Sequence, residues 1–245
     1  CETIDIRVTS GERSGDTSTI LQSFEQRGYQ IQQGDDIVVS YTPGADEGFE
    51  YTFVDYQRRA PLLLLAGIFV MVVLLLGRFQ GLRALAGAGV SVLVLVVFLL
   101  PALLAGESPL VIALIAASVI AFGALYITHG VNDESTVALV GTQVSLLLVA
   151  ALSVIFVSLS ELTGLVATEA PMLQISTNRV DLSGLLLAGI VVGTLGVLDD
   201  VTVTQVSAVS ELKAADPTAT GRELYRRALR IGRDHIASTV NTLVL

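Results

Sequence analysis

The sequence predicts a membrane all-α helical bundle of about six spans, the last truncated, behind a small N-terminal extracytoplasmic β domain. Two observations carry the membrane part. Of 245 residues, 52% are hydrophobic and only 15% charged, with a mean hydropathy of +0.71, and a soluble domain carries far more charge. Several apolar runs also reach the roughly 20 residues that cross a bilayer. A third observation sets the β domain apart: residues 1–57 lack such runs and alternate apolar with polar side chains instead.

The formal net charge of −9 is unevenly spread. Acids dominate the first 55 residues, whereas Arg and Lys gather beside the apolar runs. No basic stripe interleaved with aromatics points to nucleic acid. With no Trp in the chain, Tyr and Phe must form any interfacial belt. Cys1 is the single cysteine, so neither an internal disulfide nor a Cys-based metal site is expected. A chain opening on Cys reads either as a lipidated mature terminus or as an arbitrary start. Without an initiating Met or a signal segment, and with Ile236–Leu245 only half a span, it reads as a fragment of a longer protein.

In the β domain (1–57), ETIDIRVTSG alternates and ends at Gly11, which predicts a strand. TSTILQSF and YQIQQ are weaker strand candidates. GDDIVVSYTPG reads as turn, strand and turn, and EYTFVDYQ as a further strand. The expected arrangement is barrel-like or sandwich-like. Asp16, Asp35, Asp36, Asp46, Glu47 and Glu50 read as a solvated face, since no EF-hand spacing organises them.

The helical domain occupies 58–245. Pro61 suits the first turn of a helix, and Leu62–Leu76 forms the first span, ended by Gly77-Arg78. Leu85–Leu104 is the second span and Leu110–Thr128 the third. The polar run His129–Ser135 precedes a fourth span at Thr136–Leu159, with Asp133 or Ser135 as N-cap. Glu161–Asp181 is a polar loop containing Pro171 and Arg179. The fifth span begins at Asp181. Lys213–Asp234 is a charged segment in which ADPTATGRELYRRALRIGRD reads as a surface helix capped near Thr218 or Thr220, and the truncated sixth span carries Asn241. Six alternating crossings place Arg78, Arg83, Lys213, Arg222, Arg226, Arg227, Arg230 and Arg233 on one side, which the positive-inside rule makes cytoplasmic. Arg58 and Arg59 are outweighed, so the β domain and the Glu161–Asp181 loop lie outside.

The fifth helix holds the sharpest signal. Gly189, Gly193, Gly196, Asp200, Thr204, Ser207 and Glu211 recur at spacings of three or four and so share one face. Glycines let another helix approach closely, and Gly141 with Ser145 on the fourth span is the expected counterpart. Asp199 and Asp200 interrupt an uncharged segment. Leu182 to Asp199 spans about 26 Å at 1.5 Å per residue, nearly a bilayer's hydrocarbon. The pair therefore either marks the cytoplasmic membrane edge, with an amphipathic helix continuing beyond, or lines a polar cavity in a helix that is broken or enters late and binds a cation or proton. In the second case Thr204, Gln205 and Asn241 line the route. As a structural residue, Asn241 makes an interhelical hydrogen bond instead.

His129 and His235 read as interfacial, because no His/acid pair at i,i+4 supports zinc. Asn132, Asp133 and Glu134 read as a helix N-terminus, where acids favour the dipole. Arg222, Arg226, Arg227, Arg230 and Arg233 form a membrane-surface basic face for lipid headgroups, with a nucleotide or partner site as the other reading.

HGVNDESTVALVGT, DLSGLLLAGIVVGTLGVLDDVTVTQVSAVSEL and GRELYRRALRIGRDHIASTVNTLVL, in that order, resemble the YibE/F-like family of bacterial multi-pass membrane proteins. The resemblance covers nearly the whole chain. It implies a bacterial plasma-membrane protein, a further helix ahead of the β domain and further spans after Asn241. It also suggests a transporter, and it brings no catalytic residues with it.

Two functions follow as expectations. One is transport of an ion or small solute through the acidic site on the fifth helix. The other is a non-transport scaffold or assembly factor whose outer β domain holds a partner, either another membrane protein or a second copy. An enzyme is not expected, since no G-x-S-x-G, H-E-x-x-H, Walker A or dinucleotide fingerprint is present. No cofactor and no metal site are expected either.

Overall fold

In the computed structural model, the described residues are 2–22, 31–44, 50–164 and 181–244. The chain divides into two compact units, Cys1–Val72 and Val73–Leu245.

The first unit contains two antiparallel hairpins. β1 (Glu2–Arg7) pairs with β2 (Thr17–Gln22) in a register running from Glu2↔Gln22 to Arg7↔Thr17. β3 (Ile37–Tyr41) pairs with β4 (Tyr51–Tyr56), with an irregularity between Val38 and Val39. Each hairpin is its own two-stranded sheet, so the described residues form no closed barrel. The four strands among the described residues are too few to close one. Side chains alternate along β3, as period-two patterning requires, and Ile20 and Tyr51 are buried. Of YQIQQ, residues 31–33 are not in a strand, and residues 29–30 lie outside the described set.

Beyond the hairpins the described residues are mostly helical. Among them, four helices are long and apolar enough to cross a membrane: Arg59–Leu104, Pro109–His129, Asp133–Leu159 and Leu182–Ala215, with mean hydropathies of 2.8, 2.6, 2.3 and 2.0. The first is not straight. α1 (Arg59–Val94) breaks at Arg78, which takes φ 50° and ψ −126°. A methyl placed on Gly81 would run into the Val73 carbonyl. Residues eight apart on one straight helix are separated by about 12 Å, so the chain folds back here. The break falls within the expected Gly77-Arg78 stop, on a side chain for which positive φ is strained. A π-helical turn (Leu95–Leu99) links α1 to α2 (Leu100–Leu104). Pro101 explains it: the ring lacks an N–H and excludes the carbonyl four residues back, so the ladder widens ahead of it.

α3 (Pro109–His129), α4 (Asp133–Leu159) and α5 (Leu182–Ala215) form the packed core. Their buried positions recur at helical spacing and are mostly small: Ala113, Ala117 and Ala121 on α3, Ala138, Thr142, Leu146 and Ala150 on α4, and Gly184, Ala188, Val191 and Leu195 on α5. Small residues bring helices close where apolar burial supplies little drive between them. Gly184 shows how tight the seam is, since a methyl there would sit 2.6 Å from Pro109 Cγ and 2.7 Å from Asp181 Oδ2.

Asn132, rather than Asp133 or Ser135, caps α4, its Oδ1 accepting from the Ser135 N–H at 2.7 Å. The cap must stand three residues before its donor, which places Ser135 inside the first turn. α6 (Gly221–Val244) is one continuous helix, joining the expected surface helix to the expected sixth span. Thr220 and Glu223 form its capping box: the Thr220 N–H donates to Glu223 at 2.9 Å, and the Glu223 N–H donates back to the Thr220 hydroxyl at 3.4 Å. Of the Glu161–Asp181 loop, residues 165–180, with Pro171 and Arg179, lie outside the described residues.

Candidate functional site: the polar end of the helical core

α5 runs unbroken through the acid pair, contrary to the broken helix that a cavity-lining role would favour. Thr194 and Thr202 satisfy their hydroxyls within the helix, donating to the Ile190 and Leu198 carbonyls at 2.8 Å, one turn back. With its proton on Leu198, Thr202 accepts from Thr142 of α4 at 2.8 Å. This is a buried hydroxyl pair one turn past Asp199.

The two acids part company at this point. Asp199 is half-buried, and its Oδ1 is shielded from solvent without a hydrogen-bond partner. The charged groups acting on it are the His129 ring and Asp200. Asp200 points outward with its side chain 75% exposed, and His235 Nε2 of α6 stands 3.8 Å from its Oδ2. That is ion-pair range for a protonated imidazole, but too long for a hydrogen bond.

Beyond Asp199, a cavity of about 90 Å³ lies between the α3–α4 turn and α5. Its walls include His129, Asn132, Glu134, Ser135, Val203 and Ser207. The turn positions these groups. Gly130 caps α3 with φ 82°, and the Asn132 side chain bridges both helix ends, donating to the His129 carbonyl at 3.1 Å while capping α4. Glu134 accepts from the Ser210 hydroxyl of α5, fastening the turn to that helix. Ser135 is 97% buried, and its hydroxyl has no partner. His129, Glu134 and Ser135 of one polar run are thus brought together with Ser207, more than 70 residues away in sequence. The polar run His129–Ser135 was the available signal, and only the fold sets Ser207 beside it.

The other predicted positions spread out. Gly189, Gly193, Gly196, Asp200, Thr204, Ser207 and Glu211 do share one face of α5, and that face is exposed. A methyl on Gly189, Gly193 or Gly196 would meet nothing within 4 Å. The stripe therefore does not pack on Gly141 and Ser145. Gly141 instead lies near the Thr202 methyl, at 3.7 Å from an added Cβ, because α4 takes the opposite face of α5. Gln205 reaches α6, where its Nε2 donates to the Ala228 carbonyl at 2.8 Å and a methyl on Gly232 would come within 2.6 Å of its Oε1. It holds two helices together rather than facing the cavity. Asn241 lies on α6, with its side chain outside the described set.

Arg222, Arg226, Arg230 and Arg233 are exposed on α6 and make no ion pair among the described residues, whereas Arg227 is bound to Asp216 at 3.2 Å. The Thr218 hydroxyl, then Arg227, hold the Asp216 carboxyl below its usual range, and the Thr220 N–H and hydroxyl do the same for Glu223. Lys213 closes the α5–α6 turn by donating to the Pro217 and Ala219 carbonyls at 2.8 and 3.1 Å.

Among the described residues, no group of three or more His, Cys, Asp or Glu side chains is placed to hold a metal ion. The polar atoms instead suit protons, water and small cations: one half-buried carboxylate, two imidazoles and a pair of hydroxyls at the end of an apolar bundle. No curated protein and no solved structure is significantly similar to the chain. A family model does match it, over residues 65–245, and through that match this membrane protein belongs to the YibE/F-like protein family.

Proposed function

We propose that the chain is a membrane transport protein that moves an ion or small solute, with Asp199 as its cation- or proton-binding group. One observation carries this reading: a carboxylate oxygen buried without a partner on a membrane-type helix. An acid in such a helix is costly, and is retained where it binds or relays a cation. In this reading the plasma membrane of a bacterium holds about six crossings, α1 supplying two of them around Arg78. The β domain lies outside, and Lys213–Asp234 is cytoplasmic. The basic residues beside Arg78 and along α6 support that orientation. The Asp199 end of the core then opens inward. The test is gradient-driven uptake into proteoliposomes: Asp199→Asn should abolish uptake while the variant elutes and unfolds like wild type. Unchanged uptake would remove Asp199 from the route, and a wild type that takes up no ion or solute would sink the transport reading.

A partner-binding role keeps one supporting feature. A groove of about 670 Å³ runs between β1 and residues 31–37, lined by Asp5, Arg7, Gln32 and Asp35 among others, which is large enough for a peptide or a small ligand. Deleting residues 1–57 should release a partner co-purified from native membranes. If nothing co-purifies, the scaffold reading loses its support.

A further inference from the structure

We propose that the cavity between the α3–α4 turn and α5 is water-filled and delivers protons to Asp199 through His129, which makes the proton the ion this chain moves or is driven by. The inference rests on the transport reading and names its ion. Four observations on the cavity lead to it.

The first is the Ser135 hydroxyl, 97% buried, on the cavity wall and without a protein partner. A buried hydroxyl left unpaired carries a desolvation cost, and water removes that cost where there is room. The second is that room: 90 Å³ holds several waters, since one needs roughly 10–15 Å³ and a few polar partners. The third is which wall atoms remain free. Asn132 is spent at both ends of its amide, and Glu134 already accepts from Ser210. What is left is hydroxyls and an imidazole, groups that both donate and accept and can pass a proton along. A divalent cation wants several acceptor-only carboxylate oxygens, and this cavity offers one carboxylate. The fourth is position. His129 lines the cavity opposite Val203 of α5, and Asp199 lies one helical turn before Val203 on the same face of that helix, so the cavity ends one turn from the acid.

The transfer balances without any further reactant. A cavity water or hydronium gives a proton to one ring nitrogen of His129, the other nitrogen releases its proton to the Asp199 carboxylate, and the ring returns to neutral. Histidine suits this because its ordinary pKa of about 6.5 lies near neutrality. The titratable groups around it are Glu134 on α4, Asp199 and Asp200 on α5 and, across Asp200, His235 on α6.

The experiment uses proteoliposomes of the whole chain containing a pH-reporting dye, with a potassium diffusion potential imposed. Wild type should move protons at a rate that depends on pH. His129→Gln should slow this on the order of a hundredfold and flatten the pH profile, and Ser135→Val should slow it with the profile kept. Added imidazole should restore His129→Ala, an outcome that a purely structural histidine would not give. Ser135→Ala serves where Val misfolds. Wild-type proton rates in His129→Gln, or a wild type that moves another cation without moving protons, would overturn the proposal. Two controls separate the two levels: undiminished proton flux in Asp199→Asn would overturn the proposal alone, whereas a wild type that moves no ion under any imposed gradient would remove the transport reading itself.

Discussion

α5 has two faces built from similar residues and put to different use. Gly184, Ala188, Val191 and Leu195 are buried, and Thr202 continues their line to its bond with Thr142 of α4. Gly189, Gly193, Gly196, Asp200 and Thr204, a fraction of a turn away, are exposed. Both faces carry small residues at spacings of three and four, and only one is packed. A small-residue stripe therefore identifies a face that could take a close neighbour, and does not say which neighbour takes it. The acids divide in the same way, Asp199 turning towards the polar end of the core and Asp200 away from it.

Substitutions can break that contrast. The largest expected effect on stability is at the inner seam: Gly184→Val should cost about 1–3 kcal/mol through overpacking against Pro109, measured by unfolding in detergent. The matching change on the outer face, Gly193→Val, should stay within about 0.5 kcal/mol. Equal losses would mean that the outer face is covered as well. Next comes Arg78→Gly, which should stabilise by about 1 kcal/mol or more by relieving the strain of positive φ. A loss would show that the Arg78 side chain contributes more than its backbone costs. Thr142→Val should cost about 0.6 kcal/mol, typical of an interhelical hydrogen bond in a membrane, whereas Thr204→Val should cost nothing measurable.

The smallest effect lies at the α5–α6 turn. Asp216 and Glu223 have carboxyls held below their ordinary range, so what they add to stability is present above the unfolded-chain values of about 4 and is lost as the pH falls through the depressed folded values. Asp216→Asn should weaken that loss on acid titration, and an unchanged titration would show the turn to be indifferent to its charge.

Much of this was legible in the chain. The apolar runs at Leu110–Thr128 and Thr136–Leu159 marked α3 and α4 to within a few residues, because length and hydropathy decide membrane helices with little help from tertiary contacts. The alternating β strands were equally plain. What periodicity could not supply was which face of α5 meets α4, since both faces carry the same residue sizes. The α4 cap was missed because Asn132 is followed by two acids and a serine, all of which can cap, and only backbone geometry chooses among them. Gln205 read as a route-lining amide, because nothing in one helix reveals that Gly232 of another will approach it. The cavity was hidden for the same reason: it forms where the His129–Ser135 turn meets Ser207, two stretches far apart in sequence.

One comparison tests the division of α5 most directly: uptake by proteoliposomes carrying Asp199→Asn beside those carrying Asp200→Asn. If the inward acid carries the ion, Asp199→Asn loses uptake and Asp200→Asn, whose carboxylate is 75% exposed beside His235, keeps most of it. Wild-type uptake in Asp199→Asn, or a loss confined to Asp200→Asn, would contradict that assignment and move the site to the open face.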